Sequence, residues 1–378
     1  MTGRERFEAI IDGKKPDRLP VYFTAVACTV ASEILGREVH TGADSLHFKE
    51  ELAIFRGEEA HREFDEKHLE DVTELWRTLG VDVVREVWRS RSKPSKQVDE
   101  YTLLFGDENK EYIVKRFCPE TQSYGILCSS IQNSEPEDLA ARLERDLADR
   151  PELPPYAFGP GQEAAVKLFS RMGSEYGQMI NSGGVGFSFY DPLWLELLYT
   201  KPDLVRRYLM RHARREGKYI RQAARQGFRW FSGGGDLAGN NGPMISPQSF
   251  REVFVPPIKY LAETCARLGV VYCYRSDGML WPIFNDMFGT AGVQAYGEAD
   301  RSATMTVGEI LKQKPGLIVL GNTSSALLVN GTVEEIREDT RNQLAEADGC
   351  CFIPGPSNAV VHGTPVRNVF AMLEELTR

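Results

Sequence analysis

Several signatures that would assign a function at once are missing from this sequence of 378 residues. A basic excess is one: 45 Lys plus Arg stand against 54 Asp plus Glu, a net charge of −9 that repels a phosphate backbone and an anionic membrane surface. Neither general nucleic-acid binding nor membrane docking is expected. No run of about 18 apolar residues occurs, so no segment reads as a bilayer-spanning helix. The opening Met1-Thr2-Gly3-Arg4-Glu5-Arg6 lacks the apolar stretch of a secretory signal. Seven cysteines, at positions 28, 118, 128, 265, 273, 350 and 351, include no CxxC pair. That excludes a zinc ribbon and a thioredoxin-like site and fits a reduced, cytoplasmic setting. Histidine is scarce at six, and Gly-x-Ser-x-Gly is absent, so no Ser-His-Asp hydrolase is indicated.

What is present is ordinary in amount and regular in order. Hydrophobic residues make up 42% and charged residues 26%, as in a globular protein with a sizeable core. A short apolar run, a polar or glycine-rich turn and an amphipathic helix recur along the chain. Eight runs read as strands: Arg18–Phe23, Asp82–Val87, Gln178–Ser182, Phe228–Ser232, Gly269–Tyr274, Val293–Tyr296, Leu317–Leu320 and Cys351–Pro354. Between them, Asp191-Pro192, Ser246-Pro247 and Thr364-Pro365 each set a capping side chain before a proline at the first helical position. Thr332 and Glu335 have capping-box spacing. This alternation predicts an α/β fold, a (β/α)8 TIM barrel, with a doubly wound open sheet as the alternative. Tyr101–Phe105 and Tyr112–Phe117 flank Gly106-Asp107-Glu108-Asn109 and read as an inserted β-hairpin. The charged, proline-bearing Ser134–Pro155 reads as a surface crossing. Residues 1–378 are therefore expected as one barrel domain with an N-terminal extension and an embellished region near 95–155.

In such a barrel, ligands bind at the carboxyl ends of the strands, which ranks the polar residues. One strand ends in Ser232-Gly233-Gly234-Gly235-Asp236; the glycines admit a ligand close to the backbone and Asp236 is a carboxylate at the mouth. A helix cap would look the same, and the glycines match neither GxGxxG nor a P-loop. The next ends in Tyr272-Cys273-Tyr274-Arg275-Ser276-Asp277-Gly278, where Arg275 and Asp277, two apart, point the same way. Arg275 can grip a carboxylate and Asp277 can move a proton, although an internal salt bridge would use the same pair. Glu298, Asn322, Ser357 and Asn358 sit at later strand ends, and Tyr22, Asn181 and Tyr274 at or near others; all seven are candidates to position a substrate. His362, beside the last strand, can be an acid, a base or a metal ligand, or a surface histidine.

Other signals read as structural. Arg206, Arg207, Arg211, Arg214 and Arg215 fall at helical spacing and read as a solvated face. His61 and His68 read as solvated helix positions, Cys350 and Cys351 as core, and Trp76, Trp88, Trp194, Trp230 and Trp281 as packing anchors.

The chain resembles the uroporphyrinogen decarboxylase-like superfamily, which includes the corrinoid-dependent methyltransferases. The residues that carry the likeness are Arg4-Glu5-Arg6-Phe7 through Lys15-Pro16-Asp17-Arg18-Leu19-Pro20-Val21, then Gly242-Pro243-Met244-Ile245-Ser246-Pro247, then Gly321-Asn322 with Gly331-Thr332-Val333-Glu334-Glu335-Ile336-Arg337. True uroporphyrinogen decarboxylases carry Arg-Gln-Ala-Gly-Arg after the first strand; here Thr24-Ala25-Val26-Ala27-Cys28-Thr29 has no cation. Zinc-dependent methyltransferases of the family place His-x-Cys after strand five and a Cys after strand eight; the matching positions here are Arg275, Asp277 and Pro356. Arginine repels a metal ion, so the usual zinc triad is absent. A rebuilt zinc site would have to draw on Asp277, His362 and Cys273. Ser276-Asp277-Gly278 with Ser357-Asn358 and His362 resembles an uncharacterised branch of the superfamily.

What the resemblance implies is an enzyme that moves a methyl group from a small methylated substrate, such as an O-methyl compound, to a separate corrinoid protein carrying cobalamin. Asp236, Asp277, Arg275 and His362 would be its catalytic residues, and no cofactor would be tightly bound. A decarboxylase of a carboxylated ring and a non-catalytic ligand-binding barrel are the alternatives, and a homodimer is the other partnership to consider.

Overall fold

The computed structural model describes residues 1–130, 135–154, 160–182, 184–187, 191–347, 349 and 351–378. Its strands, in chain order, are β1 (Val83–Arg85), β2 (Lys96–Asp99), β3 (Thr102–Gly106), β4 (Tyr112–Cys118), β5 (Ser123–Ser129), β6 (Gly177–Asn181), β7 (Trp230–Gly234), β8 (Ala238–Gly239), β9 (Gly242–Pro243), β10 (Val271–Arg275), β11 (Ala295–Asp300), β12 (Ile318–Thr323) and β13 (Phe352–Pro356). Seven of them form one curled parallel sheet in the order β1-β6-β7-β10-β11-β12-β13. β10, β12 and β13 are almost wholly buried, as expected of strands covered by helices on one face and by one another's side chains on the other. Helices such as Pro202–Arg225 and Val255–Leu268 run back between consecutive strands.

Seven of the eight expected runs are therefore strands of one parallel sheet. The eighth, Arg18–Phe23, forms no ladder. Tyr22 makes a single parallel bridge to Val83, its N–H donates to the Pro354 carbonyl (3.0 Å), and the Val83 N–H donates to Val21 (3.1 Å). The segment thus touches both edges of the half-barrel, while Pro20 offers no N–H for a longer ladder. Gly355 is where it presses closest: a Cβ there would lie 1.8 Å from the Tyr22 carbonyl oxygen.

Where the sequence suggests a two-stranded hairpin, β2 to β5 form a four-stranded antiparallel sheet. It packs on the helix Ala43–Arg56 around Phe48, Leu103 and Phe117. Buried Glu51 ties it down, accepting from Lys115 (2.8 Å) and Tyr124 (2.6 Å). The stretch expected as a surface crossing contains the helix Pro136–Asp149; Ser134 and Pro155 at its limits lie outside the described residues, as does Cys350.

Caps form at Asp191, Ser246 and Thr332, but Thr364 caps nothing and its hydroxyl is buried without a partner. His68 is buried, not solvated, and Trp88 is 65% exposed, not an anchor. Arg211 is likewise buried, its guanidinium bonded to the Asp146 carbonyl (2.9 Å) and carboxylate. No described helix is long and apolar enough to cross a membrane.

Candidate active site

The carboxyl ends of β7, β10 and β11 lie side by side, and their polar residues converge. Gly234 makes the approach feasible: its φ is +156°, and a Cβ there would lie 2.1 Å from the Arg275 carbonyl oxygen. Gly235 then donates to that carbonyl (3.2 Å), and the Leu237 N–H donates to buried Ser276 Oγ (3.0 Å). Asp236 is held between these two bonds, exposed, its carboxylate accepting the Asp277 N–H. On β11 the ladder to β12 breaks between Tyr296 and Ala299, and Glu298 takes a left-handed φ of +66°. A bulge of this kind re-aims a side chain, at a cost of about 1–3 kcal/mol for a non-glycine residue. As a result, one carboxylate oxygen from each of Asp236, Asp277 and Glu298 lies within 4.8 Å of the other two.

Two further groups organise this trio. Arg275, 11% exposed, pairs with the Glu298 carboxylate and reaches Thr24 Oγ1 at 3.4 Å. Asn358 Nδ2 donates to Asp277 Oδ2 at 2.6 Å. Burial, followed by the charges of Glu298 and Asp236, lifts the Asp277 carboxyl to about 7, against the pull of the Asn358 hydrogen bond. Burial and Glu298 also raise Asp236. Like charges at this spacing cannot all ionise, so the cluster retains a proton near neutral pH. Such an arrangement can donate a proton, and Asp277 is the carboxyl in it that is raised to about 7.

The other candidates are placed differently. The Tyr22 hydroxyl is buried, accepts from Arg85 (3.0 Å) and is pushed up to about 12 by burial. Tyr274 OH donates to the Val185 carbonyl (2.9 Å), fastening the segment after β6. Asn322 is fully buried and its amide is used on the carbonyls of Ala299 (2.9 Å) and Met305 (2.8 Å). Ser357 is buried and donates its N–H to Thr323 (2.7 Å). His362 is exposed and bonds Thr29 (2.9 Å), and Cys273 is buried with its thiol pushed up by burial. Among the described residues, Asp277, His362 and Cys273 are not grouped as metal ligands. The acidic trio offers three oxygen donors, a set that suits hard cations rather than zinc. A second cluster, Glu50, His61 and Asp65, is already bonded to Arg89, which takes both Glu50 oxygens (2.5 and 3.0 Å) and Asp65 (2.5 Å).

Asn181 closes onto Glu86, a residue the sequence reading passed over. The Asn181 N–H donates to Glu86 Oε1 at 2.9 Å, and burial lifts the Glu86 carboxyl to about 8. The strand-end rule that selects Asp277 applies equally to Glu86, which follows β1 directly.

The sequence profile of uroporphyrinogen decarboxylase (URO-D) matches residues 191–378, the half of the chain that carries the trio, Arg275 and Asn358. No curated protein matches by sequence. Among solved structures, a methyltransferase from Methanosarcina mazei is similar at 16% identity, with a TM-score of 0.65 over 100% of this chain and 98% of that one. A putative vitamin-B12 independent methionine synthase from Listeria monocytogenes is similar at 10% identity, with a TM-score of 0.50 over 96% and 99%. At these identities the structural likenesses establish the fold.

Proposed function

Because the chain belongs to the uroporphyrinogen decarboxylase-like superfamily, we propose that it is a methyl-transferring enzyme in which Asp277 is the general acid. The observation that carries this reading is the convergence of Asp277, Asp236 and Glu298 at the carboxyl end of the sheet, where burial and like charge raise the Asp277 carboxyl to about 7. Methyl transfer from an ether or an amine leaves an electron pair on the departing heteroatom. A proton delivered there as the carbon–heteroatom bond breaks lowers that barrier, typically by 10²–10⁴ in rate. Asn358 fixes the carboxyl through Oδ2, and Asp236 with Glu298 keeps its proton in place. A corrinoid protein, docking as a partner, would supply the methyl acceptor.

The same site is a poor host for a polycarboxylic ring. Arg275 is already paired with Glu298, and the segment Thr24–Thr29 brings no cation. A methyl donor without a carboxylate at the reacting end fits better.

The test is transfer from 2-methoxyphenol to free cob(I)alamin, read as methylcobalamin absorbance and catechol formed. Asp277→Asn, which keeps the acceptor for Asn358, is expected to lose at least about 100-fold in rate. Turnover by the variant at the wild-type rate, with its melting curve intact, would refute the assignment.

A further inference from the structure

On the β1–β6 side of the same rim lies a cavity of about 890 Å³, between the helices Glu58–Leu79 and Pro160–Met172. That volume is in the range of small-molecule sites. None of its lining residues belongs to the acidic trio. Leu69, Val72, Val87 and Leu168 give it an apolar wall.

Three polar groups that line it keep bonding capacity that the described residues do not use. Glu86 Oε2 is buried and unbonded, although its other oxygen is used. Arg91, whose side chain is 22% exposed, touches protein only through Nε, 3.5 Å from Glu50 Oε1. That oxygen already takes Arg89 at 2.5 Å and His61 at 3.3 Å, so Glu50 has little capacity left for a second guanidinium. Among the described residues, the two terminal nitrogens of Arg91 have no acceptor and Lys167 has no ion pair. Burial and Arg89 press against the charged form of Arg91 more than Glu50, Asp65 and Glu163 support it.

We infer that this cavity binds a small amphipathic organic anion. Its carboxylate lies in the fork of the two terminal Arg91 nitrogens with Lys167 as the second cation, and its apolar body lies against Leu69, Val72, Val87 and Leu168. A guanidinium fork matches a carboxylate with two parallel bonds, and the low-dielectric wall strengthens the pair. Glu86 Oε2 adds a hydrogen bond to a hydroxyl or similar neutral group on the body of the ligand. The inference does not depend on methyl transfer.

The probes are octanoate, 1-octanol and inorganic phosphate, titrated calorimetrically into the full-length protein. Octanoate is expected to bind, with octanol and phosphate each at least tenfold weaker, since one lacks the charge and the other the apolar body. Arg91→Gln should weaken octanoate at least tenfold. Val166→Trp, which fills the cavity from a position 41% exposed and leaves the cations alone, should do the same. Unchanged melting temperatures show that both variants fold. Absence of octanoate binding, equal binding by Arg91→Gln, or octanol or phosphate binding as tightly as octanoate would overturn the inference.

Discussion

Asp277 differs from an ordinary surface aspartate chiefly through its burial, then through the charges of Glu298 and Asp236 and the amide of Asn358. Because its folded value is raised above the ordinary 3.8, ionising it works against the fold: the stabilising contribution is full below that value and is lost as pH rises through about 7. Two outcomes follow from the same sign. If the protonated carboxyl is the acid, kcat should fall as pH rises through about 7. Removing the Asn358 hydrogen bond, which favours the ionised form, should move that fall to higher pH. A pH–rate profile of Asn358→Ala with an unmoved or lowered midpoint would contradict this. Asp277→Asn should in turn raise the melting temperature at pH 8 more than at pH 4, measured by calorimetry. At this scale the sequence was informative about location and silent about pairing. Strand-end position picked out Asp236, Arg275, Asp277 and Glu298, but the bulge that turns Glu298 onto Arg275 leaves no mark in residue type. Glu86 and Arg91 went unnoticed because nothing in their spacing shows that their neighbours leave them unsatisfied.

The elements around the site were legible in proportion to their periodicity. β1, β6, β7, β10 and β13 each fall within two residues of the runs expected, because buried parallel strands read as continuous apolar stretches. Arg18–Phe23 looked like another, yet a proline and a lone bridge make it a spacer between sheet edges. The helix Glu58–Leu79 misled in another way: its charged residues suggested a solvated helix, but one face carries Phe64, His68, Val72 and Trp76 into the core. His68 Nδ1–H donates to the His40 carbonyl (2.7 Å), and burial pushes His68 down to about 3 and His40 to about 4. Both must be neutral in the fold, so their contribution is full above the ordinary value of 6.5 and is lost as pH falls from there toward 3 to 4. Acid should therefore loosen this helix before the sheet. His68→Asn, which keeps a hydrogen-bonding amide without a titrating ring, should shrink the loss of stability between pH 6.5 and 4 by on the order of 1 kcal/mol. Denaturant titrations at the two pH values measure it, and an equal loss in both proteins would contradict the assignment.

Across the whole molecule, the proposed chemistry and the ion-pair network at the first helix sit at opposite ends of the sheet. The trio and the Arg91 cavity lie where the strands finish. At the other end, Asp82 before β1 is 4% exposed and accepts from Arg18 (2.5 Å), Arg6 (2.9 Å) and the Val21 N–H (2.8 Å). Arg6 and Arg18 belong to the opening motif through which the chain resembles its superfamily, and their role here is to lock the first helix and the Tyr22 segment against the sheet. Asp82→Ala leaves the Arg18 guanidinium without its carboxylate and Arg6 with Asp17 alone, and should cost roughly 3 kcal/mol in a urea titration, with little effect on the pH midpoint of activity. A loss below about 0.5 kcal/mol would show the network to be an ordinary surface one. The sequence by itself determined what is periodic or local: the order of the seven parallel strands and the caps at Asp191, Ser246 and Thr332. Only the tertiary structure decided which charges meet. The Asp236–Asp277–Glu298 cluster, its Arg275 and Asn358 partners and the unpaired Arg91 join residues that are distant in the chain. Their protonation follows from burial and spacing in three dimensions, which no local pattern encodes.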